Sequence, residues 1–320
     1  MQLHGGMPTP FLDRFRSPEP SCISVNVEQS EQGSVFLNKY NLNTLLVNQD
    51  AAPPNDAWEW FQTRWLLDAL SSSFVLNTDT RSVLVCSNWG DLAPGGQPFS
   101  RWRGSGGLGE LLLDSFAHEP PTFWLADVDA LLIQHRRSAA GLSAVPVDTM
   151  QTWNIVRHGL RHEKSVAHVS LFDVVAPGRE VPHWQQPLYG WKGECNIVLL
   201  CQVQSGVLRF LVRPSAEPGF LGAAQLAPLQ IFPLAPPDSW TVRAMAQGTS
   251  FLRVRQSEEG GRFFRSINNY DIRMLPESES ISGSASCIWL SLSQIHALAR
   301  TKGYMTNELR SIISLLLKYL

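Results

Sequence analysis

The sequence predicts an α+β protein in which one strand-then-helix unit occurs twice, the first time without its front half. Two blocks carry this reading. Gln29-Ser30-Glu31-Gln32-Gly33-Ser34-Val35-Phe36 returns 227 residues on as Gln256-Ser257-Glu258-Glu259-Gly260-Gly261-Arg262-Phe263. At an offset of 229, Trp60 falls on Trp289, Leu66 on Ile295, Leu76 on Met305, Arg81 on Arg310 and Ser82 on Ser311. Two blocks in one order at nearly one spacing argue for a duplicated domain, because the period is far too long for a solenoid. Strand-like sequence precedes the second block at length, whereas fewer than thirty residues precede the first. The expected organisation is the C-terminal portion of a first unit over 1–88, a helical linker over 89–150 and a complete second unit over 151–320.

In chain order, Asn77 is expected to cap the last helix of the first unit, at the position Thr306 holds in the second. The stretch 88–107 is rich in Gly and Pro and reads as loop, 109–117 and 123–137 as helices, and 139–146 as a connector. In the second unit, 166–175 alternates with Ala167, Val169, Leu171 and Val175 on one side, which predicts a strand. Pro177-Gly178 marks a turn before a strand over 179–188. Runs 195–203 and 207–212 flank Gln204-Ser205-Gly206, the pattern of a tight hairpin. Proline is dense from 214 to 237, predicting loop with short extended pieces, and 262–274 returns to strand. Ser291 and Gln294 have capping-box spacing, and Gly303 is a natural stop. Thr306 caps a final helix whose Leu309, Ile312, Ile313, Leu316 and Leu320 recur on one face.

At 320 residues there is room for two domains and a sizeable core. A net charge of −2 gives no bulk attraction to nucleic acid or anionic membrane. The start, MQLHGGMPTPFLDRF, lacks a charged-then-apolar signal pattern, and no apolar run of about 18 residues is present. A cytoplasmic protein without a membrane or nucleic-acid partner is expected. Five cysteines with no C-x-x-C pair read as buried free thiols rather than zinc ligands. No dinucleotide fingerprint, phosphate-binding loop, H-E-x-x-H or G-x-S-x-G occurs. Gly104-Ser105-Gly106-Gly107 has no strand before it and reads as a plain loop. His158 and His162 lack a third ligand nearby and read as solvated residues, so no metal is expected. Some of the eleven tryptophans can serve as stacking faces for a base or sugar ring.

QSEQGS-x-F, QSEEGGRFF, HWQQPL, GVLRFLVRPSAEPGF and QLAPLQ together resemble the NDP-hexose 2,3-dehydratase family of deoxysugar biosynthesis, including that of antibiotics. Trp184, Gln186 and Pro187 match the family's W-x-Q-P element, Gly206-Val207-Leu208 with Leu211-Val212 its G-V-L-x-x-L-V, and Glu217-Pro218-Gly219 its E-P-G. Leu226, Pro228 and Gln230 fit L-x-P-T-x-Q, with Leu229 standing where threonine is usual. The similarity covers nearly all of 1–88 and 151–320. His4-Gly5-Gly6 and Phe11-Leu12 already resemble the middle of a first repeat, so a truncated or mis-started reading frame is expected, with loss of half a domain as the alternative.

The resemblance implies tandem Nudix-like repeats, each a mixed sheet with flanking helices, the first truncated. It implies a lyase that removes water from a dTDP-4-keto-6-deoxyhexose, with no metal and no cofactor. It also implies a downstream 3-ketoreductase that consumes the unstable product, and a homodimer. Glu217 and His183 are the leading candidates for the base, and Tyr270 for a donor to the developing enolate. Arg213, Arg262 and Arg265 can offer forked donors to the diphosphate. Gln186 and Gln230 are candidate amide contacts to sugar or base, Trp184 a stacking face for thymine, and Asn269 a further residue of the same cavity. Two other readings stay open: a non-catalytic nucleotide-sugar-binding remnant, and a Nudix-type hydrolase, for which the required run of glutamates is missing.

Overall fold

The computed structural model describes residues 12–47, 59–136, 145–177, 181–220, 222, 224–234, 236–259, 261–281 and 286–320. The first segment opens with a short helix α1 (Leu12–Arg16) and an antiparallel pair, β1 (Ile23–Ser30) and β2 (Tyr40–Leu46). Helices follow as α2 (Thr63–Ala69), α3 (Thr78–Cys86), α4 (Trp89–Leu92), α5 (Gly107–Ala117) and α6 (Trp124–Arg136). A four-stranded antiparallel meander comes next: β3 (Trp153–Val156), β4 (Gly159–His162), β5 (Ala167–Val175) and β6 (His183–Trp191).

The centre is a mixed sheet of β7 (Glu194–Gln204), β8 (Val207–Ala216), β9 (Ala224–Ala227), β10 (Leu229–Ile231), β11 (Thr249–Ser257), β12 (Ile267–Met274) and β13 (Ile288–Ser291). Helix α7 (Ser239–Met245) interrupts these strands, and α8 (Leu292–Ala299) and α9 (Asn307–Ser314) close the chain. The path β11-β12-β7-β8-β13 is antiparallel except where β12 runs parallel to β7; β10 adds to β7 and β9 to β8. Strand β7 is buried on both faces, which explains its nearly unbroken apolar run. Ile197, Leu199 and Cys201 join the larger core, while Val198 and Leu200 face a second cluster with Leu229 and α7. Ser205 and Gly206 both have positive φ, at 52° and 79°, as the two-residue turn between β7 and β8 requires.

The expected capping holds in detail. Asn77 accepts from the Thr80 N–H at 2.7 Å, Thr306 from the Leu309 N–H at 3.2 Å, and Ser291 and Gln294 form a full capping box. The Pro-dense stretch contains the short strands β9 and β10 rather than loop alone. The stretch 89–150 is more than a connector. Leu112, Leu113, Val128 and Leu132 of α5 and α6 belong to the same core as β7, β8 and α8, and the buried Ser115 hydroxyl donates to Leu208 O at 2.5 Å. The Gly104 and Gly106 N–H groups are taken by the Glu110 carboxylate, which explains that glycine-rich loop without a ligand. His158 and His162 sit on the β3–β4 hairpin, not on one helical face. All five cysteines are free, three of them buried. Among the described residues, no helix is long and apolar enough to cross a membrane. Gly178 of the Pro177-Gly178 turn, most of the 139–146 connector and His4 to Phe11 lie outside the described residues.

Helices α3 and α9 are joined by two buried arginines with matching contacts. Arg81 donates to Leu76 O, five residues back, and across to the Ser314 hydroxyl at 3.2 Å. Arg310 donates to Met305 O, also five residues back, and across to the Ser82 hydroxyl at 2.6 Å. It also reaches Ser30 O at 2.8 Å and so ties the end of β1 to α9. Arg310→Ala should cost about 3 kcal/mol of stability or more, since several buried acceptors lose their donor together. Urea unfolding measures this, and a loss below about 1 kcal/mol would show that the brace contributes little.

Candidate active site

A cavity of about 580 Å³ opens where the loop after β1 meets the segment that follows β8. The two loops are held together by main chain. Gly219 donates to Gly33 O at 3.1 Å, and the Ser34 N–H donates to the Glu217 carboxylate at 2.7 Å. Both glycines are needed for this approach. A Cβ on Gly33 would lie 2.7 Å from Phe220 N, and one on Gly219 would lie 2.5 Å from Gly33 O. Residues of the first segment therefore complete a site whose other walls come from the central sheet, from Trp191 at the end of β6, and from His135 of α6 and Glu308 of α9.

Three glutamates line the cavity. Glu258 follows β11 and is 4% exposed, with Oε1 accepting from Asn268 Nδ2 at 2.5 Å and Oε2 from Gln32 Nε2 at 2.9 Å. Burial, and then the charge of Glu308, push its carboxyl up to about 8. Glu308 lies in the first turn of α9 and is 2% exposed. Burial raises it too, against the opposing pull of its own N–H and the Thr306 hydroxyl. Glu217 keeps part of its surface open to the cavity, yet its surroundings are dense. Burial and Glu308 raise it to about 7, against the Ser34 and Gly33 donors. Three carboxyls facing one cavity cannot all ionise cheaply, so protons are held by the group near neutral pH. That is the protonation range acid–base catalysis needs.

The rest of the wall divides by chemistry. Arg213 and His135 are its cationic or ionisable bases. Arg213 donates to the Thr241 hydroxyl at 2.8 Å and lies 3.7 Å from Asp238, which caps α7. Trp191, Phe232 and Phe263 form an aromatic wall, with ring centroids 6.4 Å apart for Trp191–Phe232 and 5.7 Å for Trp191–Phe263. A second acidic group, Glu31, Asp79 and Glu259, has ligand atoms within 4.8 Å of one another, and the Arg262 guanidinium pairs with both Glu31 and Glu259. That guanidinium supplies the positive charge a cation would otherwise bring.

Of the residues singled out in the sequence, Glu217, Arg213 and Gln230 lie on the cavity wall. The others do not. Tyr270 is 1% exposed in the main core, its hydroxyl accepting from Asn268 Nδ2 at 3.2 Å. It stands behind Asn268 and Glu258 instead of facing a substrate, and burial pushes its pKa further up. His183 is exposed at the start of β6, 2.7 Å from Asp173 on the meander. Trp184 donates to Gln186 at 2.7 Å, and Gln186 to Gly261 O at 3.1 Å, which makes both part of a strand-to-loop tie. Arg262 is held by its two glutamates and stacks 5.1 Å over Phe36. Arg265 lies 5.1 Å over the Phe264 ring, and Asn269 is tied to Glu194 at 2.9 Å on the sheet surface. Glu258 and Glu308 were missed. Glu258 stands inside the quoted QSEEGG block, but a carboxylate in a helix's first turn, as Glu308 is, looks like ordinary dipole complementation.

A family model described as NDP-hexose 2,3-dehydratase matches residues 1–87 and 127–316. Two curated relatives are the dTDP-4-dehydro-6-deoxy-alpha-D-glucopyranose 2,3-dehydratases of Saccharopolyspora spinosa and Amycolatopsis orientalis. They are 28% and 26% identical over 98% and 97% of this chain. The chain spans about two thirds of their length, 66% and 63%. Among solved structures, an ADP compounds hydrolase is 13% identical over 53% of this chain and 93% of its own, with a TM-score of 0.32. A Nudix hydrolase from M. Smegmatis is 14% identical over 45% and 93%, with a TM-score of 0.27. These scores are too low to bear on the fold.

Proposed function

Because the chain belongs to the NDP-hexose 2,3-dehydratase family, we propose that it removes water across carbons 2 and 3 of a dTDP-4-keto-6-deoxyhexose. The observation that carries this is the group of Glu217, Glu258 and Glu308 around one cavity, with Glu217 raised to about 7 and Glu258 to about 8. The ketone at carbon 4 acidifies the carbon 3 proton, and the hydroxyl on carbon 2 is then a β-leaving group. Glu217, the more readily ionised of the two, takes the carbon 3 proton. The electron pair passes into the carbon 4 oxygen, to which the Ser34 hydroxyl, a partner of the Glu217 carboxylate before proton transfer, can donate once Glu217 has taken the proton. As the enolate collapses, the carbon 2–oxygen bond breaks and Glu258 delivers a proton to the departing hydroxide as water. The resulting enol tautomerises to a 3,4-diketo-2,6-dideoxy sugar, which a partner ketoreductase consumes. Arg213 and His135 are the side chains suited to the diphosphate.

The same reading takes the two matching blocks as tandem Nudix-like units. The reciprocal contacts of Arg81 and Arg310 on α3 and α9, and the caps Asn77 and Thr306, support it. A homodimer in the cytoplasm, serving antibiotic deoxysugar biosynthesis, completes the proposal.

The test is incubation of the 320-residue chain with dTDP-4-keto-6-deoxyglucose in deuterated buffer, with a trapping ketoreductase and its nicotinamide cofactor. A trapped 2-deoxy sugar is expected. Nucleotide-sugar binding by a folded protein with neither product nor deuterium at carbon 3 would overturn the lyase and leave a binding protein.

A further inference from the structure

We propose that Gln230 reads the hydrogen-bonding edge of the nucleobase, the N3–H and adjoining carbonyl of a pyrimidine imide, at the aromatic wall of the cavity. The inference rests on the nucleotide-sugar reading above and extends it to the part of the ligand remote from the chemistry.

Strand β10 pairs antiparallel with β7, Gln230 opposite Ile197, so the backbone that carries this side chain is fixed by the sheet. Gln230, Ile231 and Phe232 all contribute to the cavity lining, together with Trp191 and Phe263. Other carboxamides near the site are committed: Gln32 to Glu258 and Gln186 to Gly261 O. The Oε1 of Gln230 is sealed from solvent with no donor to satisfy it. A buried acceptor left in that condition is unfavourable, and native proteins keep few of them. The terminal torsion of a glutamine is soft and roughly two-fold, so the amide can turn its edge toward the cavity when a ligand meets it.

What would satisfy that edge is a planar group presenting one donor and one acceptor side by side. A thymine or uracil imide does so, with N3–H to Oε1 and a ring carbonyl from Nε2. One sugar hydroxyl offers its donor and acceptor on a single atom, and a vicinal pair of hydroxyls, which can span the fork, lacks the flat ring that the neighbouring side chains favour. The neighbouring rings favour the same choice. Trp191 and Phe263 are buried with Phe232 packed against them. They offer a dry apolar border that a planar heteroaromatic ring meets at a smaller desolvation cost than a hydroxyl-bearing pyranose. A phosphate is better met by Arg213, the guanidinium of the same lining, than by a neutral carboxamide.

Calorimetric titration of the full chain with dTDP and with its N3-methyl derivative tests this directly. The wild-type protein should bind dTDP at least about tenfold more tightly, because the methyl group removes the donor. Gln230→Leu, close in size and unable to hydrogen-bond, should weaken dTDP binding and abolish the preference between the two ligands. Equal affinity of the wild-type protein for both would overturn the assignment without recourse to any variant. So would a folded Gln230→Leu protein that retains the preference. Absence of dTDP binding would also overturn it, while the lyase reading would still stand or fall separately on the deuterium experiment.

Discussion

Glu217→Gln is expected to lower kcat by about 10²–10⁴-fold and to stop deuterium from entering carbon 3 of recovered substrate. The amide keeps the shape of the side chain and can still accept from the Ser34 N–H, which the carboxylate now receives at 2.7 Å. It cannot take a proton. With Glu217 raised to about 7 by burial and by Glu308, the wild-type enzyme should gain activity as pH rises through that region and lose it as Glu258 ionises near 8. The limbs of such a bell belong to the interacting carboxylates together. Steady-state kinetics against pH, with mass spectrometry of the recovered substrate, checks both parts. Undiminished exchange in Glu217→Gln would assign the base elsewhere, Glu308 being the carboxyl next to it in effect.

Much of the architecture was legible because its causes are local. Asn77, Ser291 and Thr306 cap the helices they precede, since a short polar side chain before an apolar-periodic run has few other uses. Ser205-Gly206 makes its hairpin because both residues tolerate positive φ. The site was only partly legible because it is assembled over long separations. Glu217 reaches Ser34, and Gln32 reaches Glu258, contacts that no periodicity announces. His183 and Trp184 drew attention through a family motif, yet β6 holds them in the meander and in a tie to the Gly261 loop. Tyr270 looked like a donor because tyrosine has the right chemistry. Alternation along β12 instead turns it into the core, with Asn268 and Glu258 between its hydroxyl and the cavity chemistry. The α5–α6 segment read as a linker because it lies between the two matching blocks; its buried leucines instead join the core of the central sheet.

Glu258→Gln should separate the two proton transfers and, unlike most changes at a buried site, stabilise the fold above neutral pH. The folded protein holds this carboxyl near 8, whereas in an unfolded chain it titrates near its ordinary 4.5. Between those values the unfolded chain releases a proton that the folded one retains. The carboxyl's contribution is therefore fully present below about pH 4.5 and is lost as pH rises through about 8. Each unit of that shift is worth about 1.4 kcal/mol, so the liability at pH 8 is on the order of a few kcal/mol. A glutamine removes it and still meets Asn268 and Gln32, whose amides can turn to match it. Urea unfolding at pH 5 and pH 8 should show little difference between variant and wild type at the lower pH and a gain at the higher. The variant should lose elimination by about 10²–10⁴-fold while Glu217 continues to exchange the carbon 3 proton. A family of carboxyls kept at odds with stability is what a working acid–base site costs the fold, and glutamates placed only for packing would not show it. Unchanged turnover together with parallel stability profiles would mean that Glu258 serves structure alone and that the departing hydroxide takes its proton from another group.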